Sequence, residues 1–305
     1  MKYALDSGIQ KKGDKVDAYE VQKTLEGYHA PITATVVKRL EEAGAELAQH
    51  AGYEANMVAV EKGMATFALN TDVGGEVMAA AENGLYGLRP SYGAISRYGM
   101  IASASSMDAI GVTAKTPEDI REALMLIAGP DGMDSTVFDD LATGAKSGSM
   151  RVRELELDEV RVKTAEVAHM VIRAAETASS YYRYDGIRFG HRAKDAKSLK
   201  DLYNKSRAEG LTEDSKKWIL FGTYVLLGEN IERCLIKAQK VRTMIIEALE
   251  KEMVTTEVLS GSDLGVIAAL AGLPVVITPE GKQYIGKRKS DLALLQFVAD
   301  MKEAK

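Results

Sequence analysis

The sequence predicts an α/β layered fold with a helix-rich second half, and three observations predict it. Short apolar runs beside glycine turns, Ala65–Leu69 and Val275–Thr278, read as buried strands. Amphipathic helical patterns are interleaved with them. Long helical patterns dominate after residue 150.

In chain order, Thr33–Leu47 (TATVVKRLEEAGAEL) sets Val36, Val37, Leu40 and Ala43 on one face and reads as an amphipathic helix. The strand Ala65–Leu69 follows. Thr116–Gly129 is a helix with Thr116 as N-cap, Pro117 in the first turn and Asp119 completing a capping-box-like pair. Its apolar stripe is Ile120, Leu124 and Ile127, and Gly129 stops it. Asp131–Met150 is polar and turn-rich, as suits a long surface connection. Helical patterns cover Asp158–Tyr182, Thr212–Leu227 and Asn230–Met253. After the strand Val275–Thr278, Ser290 is placed to cap a last helix, Asp291–Met301. The expected organisation is one domain over 1–305: a first half of about 1–130 holding the glycine turn, a polar connection of about 131–150, and a helical second half, 151–305.

A chain of 305 residues with 46% hydrophobic and 27% charged content can bury a large core as a soluble globule. Its net charge of -5 argues against a broad nucleic-acid footprint. The single cysteine, Cys234, excludes an internal disulfide framework and a multi-cysteine metal site, and suits a reducing cytoplasm. The start, MKYALDSGIQKKGDK, has no apolar run after its charges and does not read as a signal peptide. The uncharged stretch Leu264–Pro279 is too short and glycine-rich to span a membrane. His29, His50, His169 and His191 have no metal-ligand spacing, so packing or surface roles, and no metal or cofactor, are expected.

One stretch points to chemistry. In LNTDVGGEVM, Asp72 and Val73 precede Gly74 and Gly75, and adjacent glycines let several N–H groups converge on one spot. Such a turn suits an oxyanion, although two glycines alone are more often plain turn geometry.

The longer context decides between these readings. Asn70–Thr136, with GLYGLRPSYGAISRYGM, ASASSMDAIG and DGMDST, resembles the amidase signature family in long collinear order. Within that family it is most similar to the A subunit of glutamyl-tRNA(Gln)/aspartyl-tRNA(Asn) amidotransferase. The resemblance resumes at Arg183–Leu211, Lys237–Thr243 and Leu270–Pro274. It implies a layered α/β/α amidase-signature-like fold with a central mixed sheet. It also implies a Ser–Ser–Lys triad, in which a lysine and one serine relay protons while a second serine attacks the amide carbonyl.

None of the three positions keeps its residue. The nucleophile position carries Glu76, the relay serine falls on Gly52 and the lysine on Asp6. Trp218 stands where the family's substrate-side K-R-R has its second arginine, and Met78 replaces the arginine after the nucleophile. Retained scaffold includes Asp72, Gly74, Gly75, Arg89 and Pro90. Ser105, Ser106, Tyr184 and Asp185 are the candidate cleft residues.

Attack by a carboxylate on an amide would give an anhydride, a poor route for acyl transfer. The expectation is therefore a degenerate member with Glu76 sitting in the old oxyanion hole, working by binding a partner subunit or a small ligand. Two alternatives stay open: an active amidase or amidotransferase subunit with a relocated nucleophile, and a carboxylate or amide sensor. The partners implied are B- and C-type amidotransferase subunits or a second copy of the chain, with neither membrane nor direct nucleic-acid contact.

Overall fold

The computed structural model describes residues 1–15, 23–141, 150–188 and 190–303. In chain order they form β1 (Lys2–Asp6), α1 (Thr35–Glu42), β2 (Glu46–Ala51), α2 (Tyr53–Glu61), β3 (Phe67–Asp72), β4 (Tyr86–Arg89), β5 (Ala109–Ala114) and α3 (Pro117–Ile127). There follow β6 (Val152–Glu154), α4 (Glu159–Ser180), α5 (Leu199–Gly210), α6 (Glu213–Val225), α7 (Lys237–Glu252), β7 (Val258–Gly261), α8 (Leu264–Ala271), β8 (Val275–Ile277), β9 (Gln283–Gly286) and α9 (Asp291–Glu303).

Among the described residues the strands form one nine-stranded sheet in the order β2-β1-β3-β5-β4-β8-β9-β7-β6. It is mixed: β1 runs parallel to β2 and β3, β3 pairs antiparallel with β5, and β6 runs parallel to β7. One face carries Leu5, Phe67, Leu69 and Val112 against Val37 and Leu40 of α1, Ile120 and Leu124 of α3, and Leu294 and Val298 of α9. The other face packs Leu259, Val275 and Ile285 under Ala168 and Ile172 of α4, Leu249 of α7 and Ile267 of α8. Helix α2 covers the same sheet through Met57 and Val60, against Ala4 and Ala68. The layered α/β/α arrangement with a central mixed sheet is the one expected. Burial of these apolar side chains is its main stabilising term.

Where element boundaries differ from the sequence reading, local chemistry explains it. The helix expected over Thr33–Leu47 ends at Glu42, because Gly44 takes φ +74 and turns the chain into β2. As a sheet-edge strand, β2 is only half-buried and carries too weak an alternation to read. The capping at Thr116 is observed: its Oγ1 accepts from Asp119 N–H at 3.1 Å. Ser290 instead donates from its hydroxyl to the Lys287 carbonyl at 2.7 Å, while the Asp291 carboxylate reaches Ser91. The pattern at Asn230–Met253 begins as a π turn, Ile231–Ile236, before α7. Residues 142–149 of the polar connection lie outside the described residues.

Helices α4 and α6 cross at very close range. A Cβ added to Gly222 would lie 1.9 Å from the Ala174 carbonyl oxygen. That crossing sets Trp218 of α6 beside Arg173 of α4, above the carboxyl end of β3. No helix among the described residues is long and apolar enough to cross a membrane.

Candidate ligand cleft at the glycine turn

Strand β3 ends at Asp72, whose carboxylate folds the following residues back on themselves. Its Oδ1 accepts from Gly75 N–H at 2.9 Å and its Oδ2 from Val77 N–H at 2.8 Å. Arg89 of β4 pairs with Asp72 Oδ1 and donates to the Met107 carbonyl. Both members of the pair are buried, so each charge depends on the other. Gly75 takes φ +94, and a Cβ there would press the Gly265 backbone at 3.0 Å, where α8 abuts the turn. A Cβ on Gly74 would lie 2.7 Å from the His169 ring.

Two N–H groups of the turn, those of Val73 and Gly74, are occupied. Glu76 Oε2 accepts from Val73 N–H and from Gly74 N–H, each at 2.7 Å. Its Oε1 accepts from Arg173 Nη1 at 3.1 Å. The Arg173 guanidinium lies 4.8 Å from the centre of the Trp218 ring, a cation–π stack. Burial alone would raise the Glu76 carboxyl, but Arg173 and the N–H groups of Gly74 and Val73 outweigh it and hold the pKa below the usual value. Tyr53 anchors the same residue by donating from its hydroxyl to the Glu76 carbonyl at 2.6 Å.

His169 supports the turn from below. Its Nε2 lies 3.2 Å from the Val73 carbonyl oxygen, which only accepts, so Nε2 carries the proton. Burial pushes its pKa down to about 4, so the ring is neutral near pH 7.

The turn opens onto a cavity of about 650 Å³. Asp6, Gly52 and Glu76, far apart in the chain, all line it. Asp6 stands at the end of β1, its Oδ1 accepting from Gly8 N–H at 2.7 Å and its Oδ2 from Thr71 Oγ1 at 3.3 Å. Burial raises its pKa. Gly52 is the N-cap of α2, with nothing within 4 Å of an added Cβ. Among the described residues the lining holds no lysine and no histidine.

Comparison with known proteins fixes the lineage. The family model described as Amidase matches residues 51–153. Two proteins named as the A subunit of glutamyl-tRNA(Gln) amidotransferase are each 32% identical to the chain. The one from Halothermothrix orenii aligns with 84% of this chain and 68% of its own length; for the one from Chromohalobacter salexigens the shares are 90% and 74%. This chain belongs to the amidase family.

Coverage of amidase-family relatives is incomplete: the chain spans 64% of the length of the Halorhodospira halophila A subunit, at 32% identity. The solved A subunit from Thermotoga maritima superposes with a TM-score of 0.65 at 22% identity, over 98% of this chain and 82% of that one. A protein from a vestigial complex linked to the origins of an s-triazine catabolic enzyme gives a TM-score of 0.77 at 17% identity, over 100% of this chain and 84% of that one.

The structure gathers Asp6, Gly52 and Glu76, the positions the sequence reading matched to a triad, into one cleft, but places the other candidates outside its lining. Ser105 lines a separate, more open hollow of about 310 Å³, and its carbonyl accepts from Tyr92 Oη at 2.9 Å and Arg97 Nη1 at 2.5 Å. Ser106 is a clamp: its N–H donates to Glu176 at 2.9 Å and its Oγ accepts from Arg242 at 2.9 Å. Tyr184 is buried edge-on against Tyr181. Asp185 closes a local turn, accepting from Ile187 N–H at 2.8 Å. These four are held by loop and packing chemistry rather than by the main cavity.

The histidines expected in packing or surface roles all have such partners, His29 on the Gly13 carbonyl, His50 on Asp14 and Ile9, and His191 on Glu209. The sequence reading missed Arg173. Its one signal was the four-residue spacing from His169, which puts both on one face of α4.

Proposed function

We propose that this amidase-family chain does not hydrolyse amides at its glycine turn and works in the cytoplasm by binding, as a scaffold for a partner subunit or as a holder of a small ligand. One observation carries the reading: Glu76 occupies with one oxygen both N–H groups that would receive the charge of a tetrahedral intermediate. Its other oxygen is tied to Arg173, and its lowered pKa makes it a weak nucleophile. Among the described residues no lysine stands in the lining to act as base. The relatives are named as the A subunit of an amidotransferase, which favours further subunits, of B and C type, as partners; a second copy of the chain is the alternative.

A second reading, an active amidase with a relocated nucleophile, draws on Ser7 and Ser103, which both line the cavity. Incubation of the purified chain with glutamine, asparagine and propionamide separates the two. The proposal expects no ammonia above buffer. Ammonia release that disappears in Ser7→Ala or Ser103→Ala overturns it.

A further inference from the structure

The cradle around Glu76 is built by parts that do not need its side chain. Two of its donors, Val73 N–H and Gly74 N–H, come from the turn after β3, and the third, Arg173 Nη1, comes from α4, 97 residues away from Glu76. Asp72 fixes the turn through Gly75 and Val77, and His169 holds the Val73 carbonyl. Trp218 flanks Arg173. Tyr53 grips Glu76 by its backbone carbonyl, a contact that survives loss of the side chain. Removing the carboxylate therefore leaves three charge-complementary donors in place, and preorganised donors bind with little ordering cost. The cavity in front of them gives a ligand its path.

We infer that Val73, Gly74 and Arg173 form a carboxylate-binding site, which Glu76 keeps closed to outside anions as a tethered competitor. A tethered group acts at an effective concentration of order millimolar or more, so dilute free carboxylates lose to it. The ligand class follows from the shape of the occupant. The side-chain atoms of Glu76 from Cβ outward are those of propionate, so propionate is the probe that refills the space left by Glu76→Gly. The inference holds whether or not the wild-type chain hydrolyses amides.

The test is calorimetry and thermal melting of Glu76→Gly with propionate at constant ionic strength, beside wild type, the double variant Glu76→Gly/Arg173→Met, and propionamide as the neutral isostere. The expected result is saturable binding and a rising melting temperature in Glu76→Gly, with affinity at least about tenfold tighter than in wild type or the double variant, and no response to propionamide. Equal responses across the three proteins, or propionamide acting as well as propionate, overturn it. Should Glu76→Gly fail to fold, Glu76→Ala with acetate poses the same question, and absence of acetate binding there overturns it as well.

Discussion

The wall of the cleft formed by the turn after β3 and the wall formed by β1 and α2 differ in how their polar groups are engaged. On the turn side Asp72 is met by Arg89, Gly75 and Val77, and Glu76 by Val73, Gly74 and Arg173. On the other side Asp6 is buried against a backbone N–H and a hydroxyl, with no cation among the described residues in its shell of hydrogen bonds, and Gly52 offers only open space. The difference teaches which parts of an amidase fold are bound to its stability. The donor turn closes a strand end and seats α8, so its geometry is tied to the fold itself. Under the proposed function, a catalytic base and a relay serine would serve chemistry alone, and the fold would not need them.

The largest effect should come from breaking the furnished wall. Arg89→Met strands the buried Asp72 carboxylate, and a loss of ~3–5 kcal/mol is expected in chemical denaturation. A shift within error would mean that the turn does not depend on the pair. Next, two glycines on opposite walls should part company. Gly74→Ala drives a methyl into the His169 ring and should cost ~1–3 kcal/mol, whereas Gly52→Ser, with nothing within 4 Å, should melt close to wild type. Equal melting temperatures would erase the contrast.

Two smaller effects are readable through pH. The folded-state pKa of Glu76 lies below its ordinary value, so its stabilisation is present above that value and is lost as pH falls through the folded pKa. Glu76→Gln should cost ~1–2 kcal/mol at pH 7 and converge on wild type in acid. Asp6 has the opposite sign. Its pKa is raised, so its ionisation opposes folding once pH rises through the folded value. Asp6→Asn, which keeps an acceptor for Gly8 N–H, should gain about 1 kcal/mol at pH 7 and nothing at low pH. Melting curves from pH 3 to 7 check both signs, and destabilisation by Asp6→Asn at pH 7 would show that the bare wall is furnished after all.

Legibility in the sequence followed the same division. The capped helix at Thr116 and the long patterns of α4 and α6 were plain, because caps and a periodic apolar face are local signals. Strands β1 and β2 and helix α2 were not read, because their burial is set by partners distant in sequence. At the site, Asp72, Gly74, Gly75 and Glu76 were legible as one contiguous stretch. Arg173 was not, since only the crossing of α4 and α6 at Gly222 reveals what it faces. Ser105, Ser106, Tyr184 and Asp185 were less sharply legible, because loop-stabilising hydrogen bonds leave the same residue types as ligand contacts do; Ser105 lines a separate hollow, and the other three hold loops and packing.

Central to this picture is the Glu76 carboxylate holding the two N–H groups of the turn. Amide hydrogen exchange at Val73 and Gly74, compared between wild type and Glu76→Ala, tests this directly. Protection in wild type and exchange faster by about tenfold or more in the variant, confined to those two amides, is the predicted result. Identical exchange rates in the two proteins would contradict it.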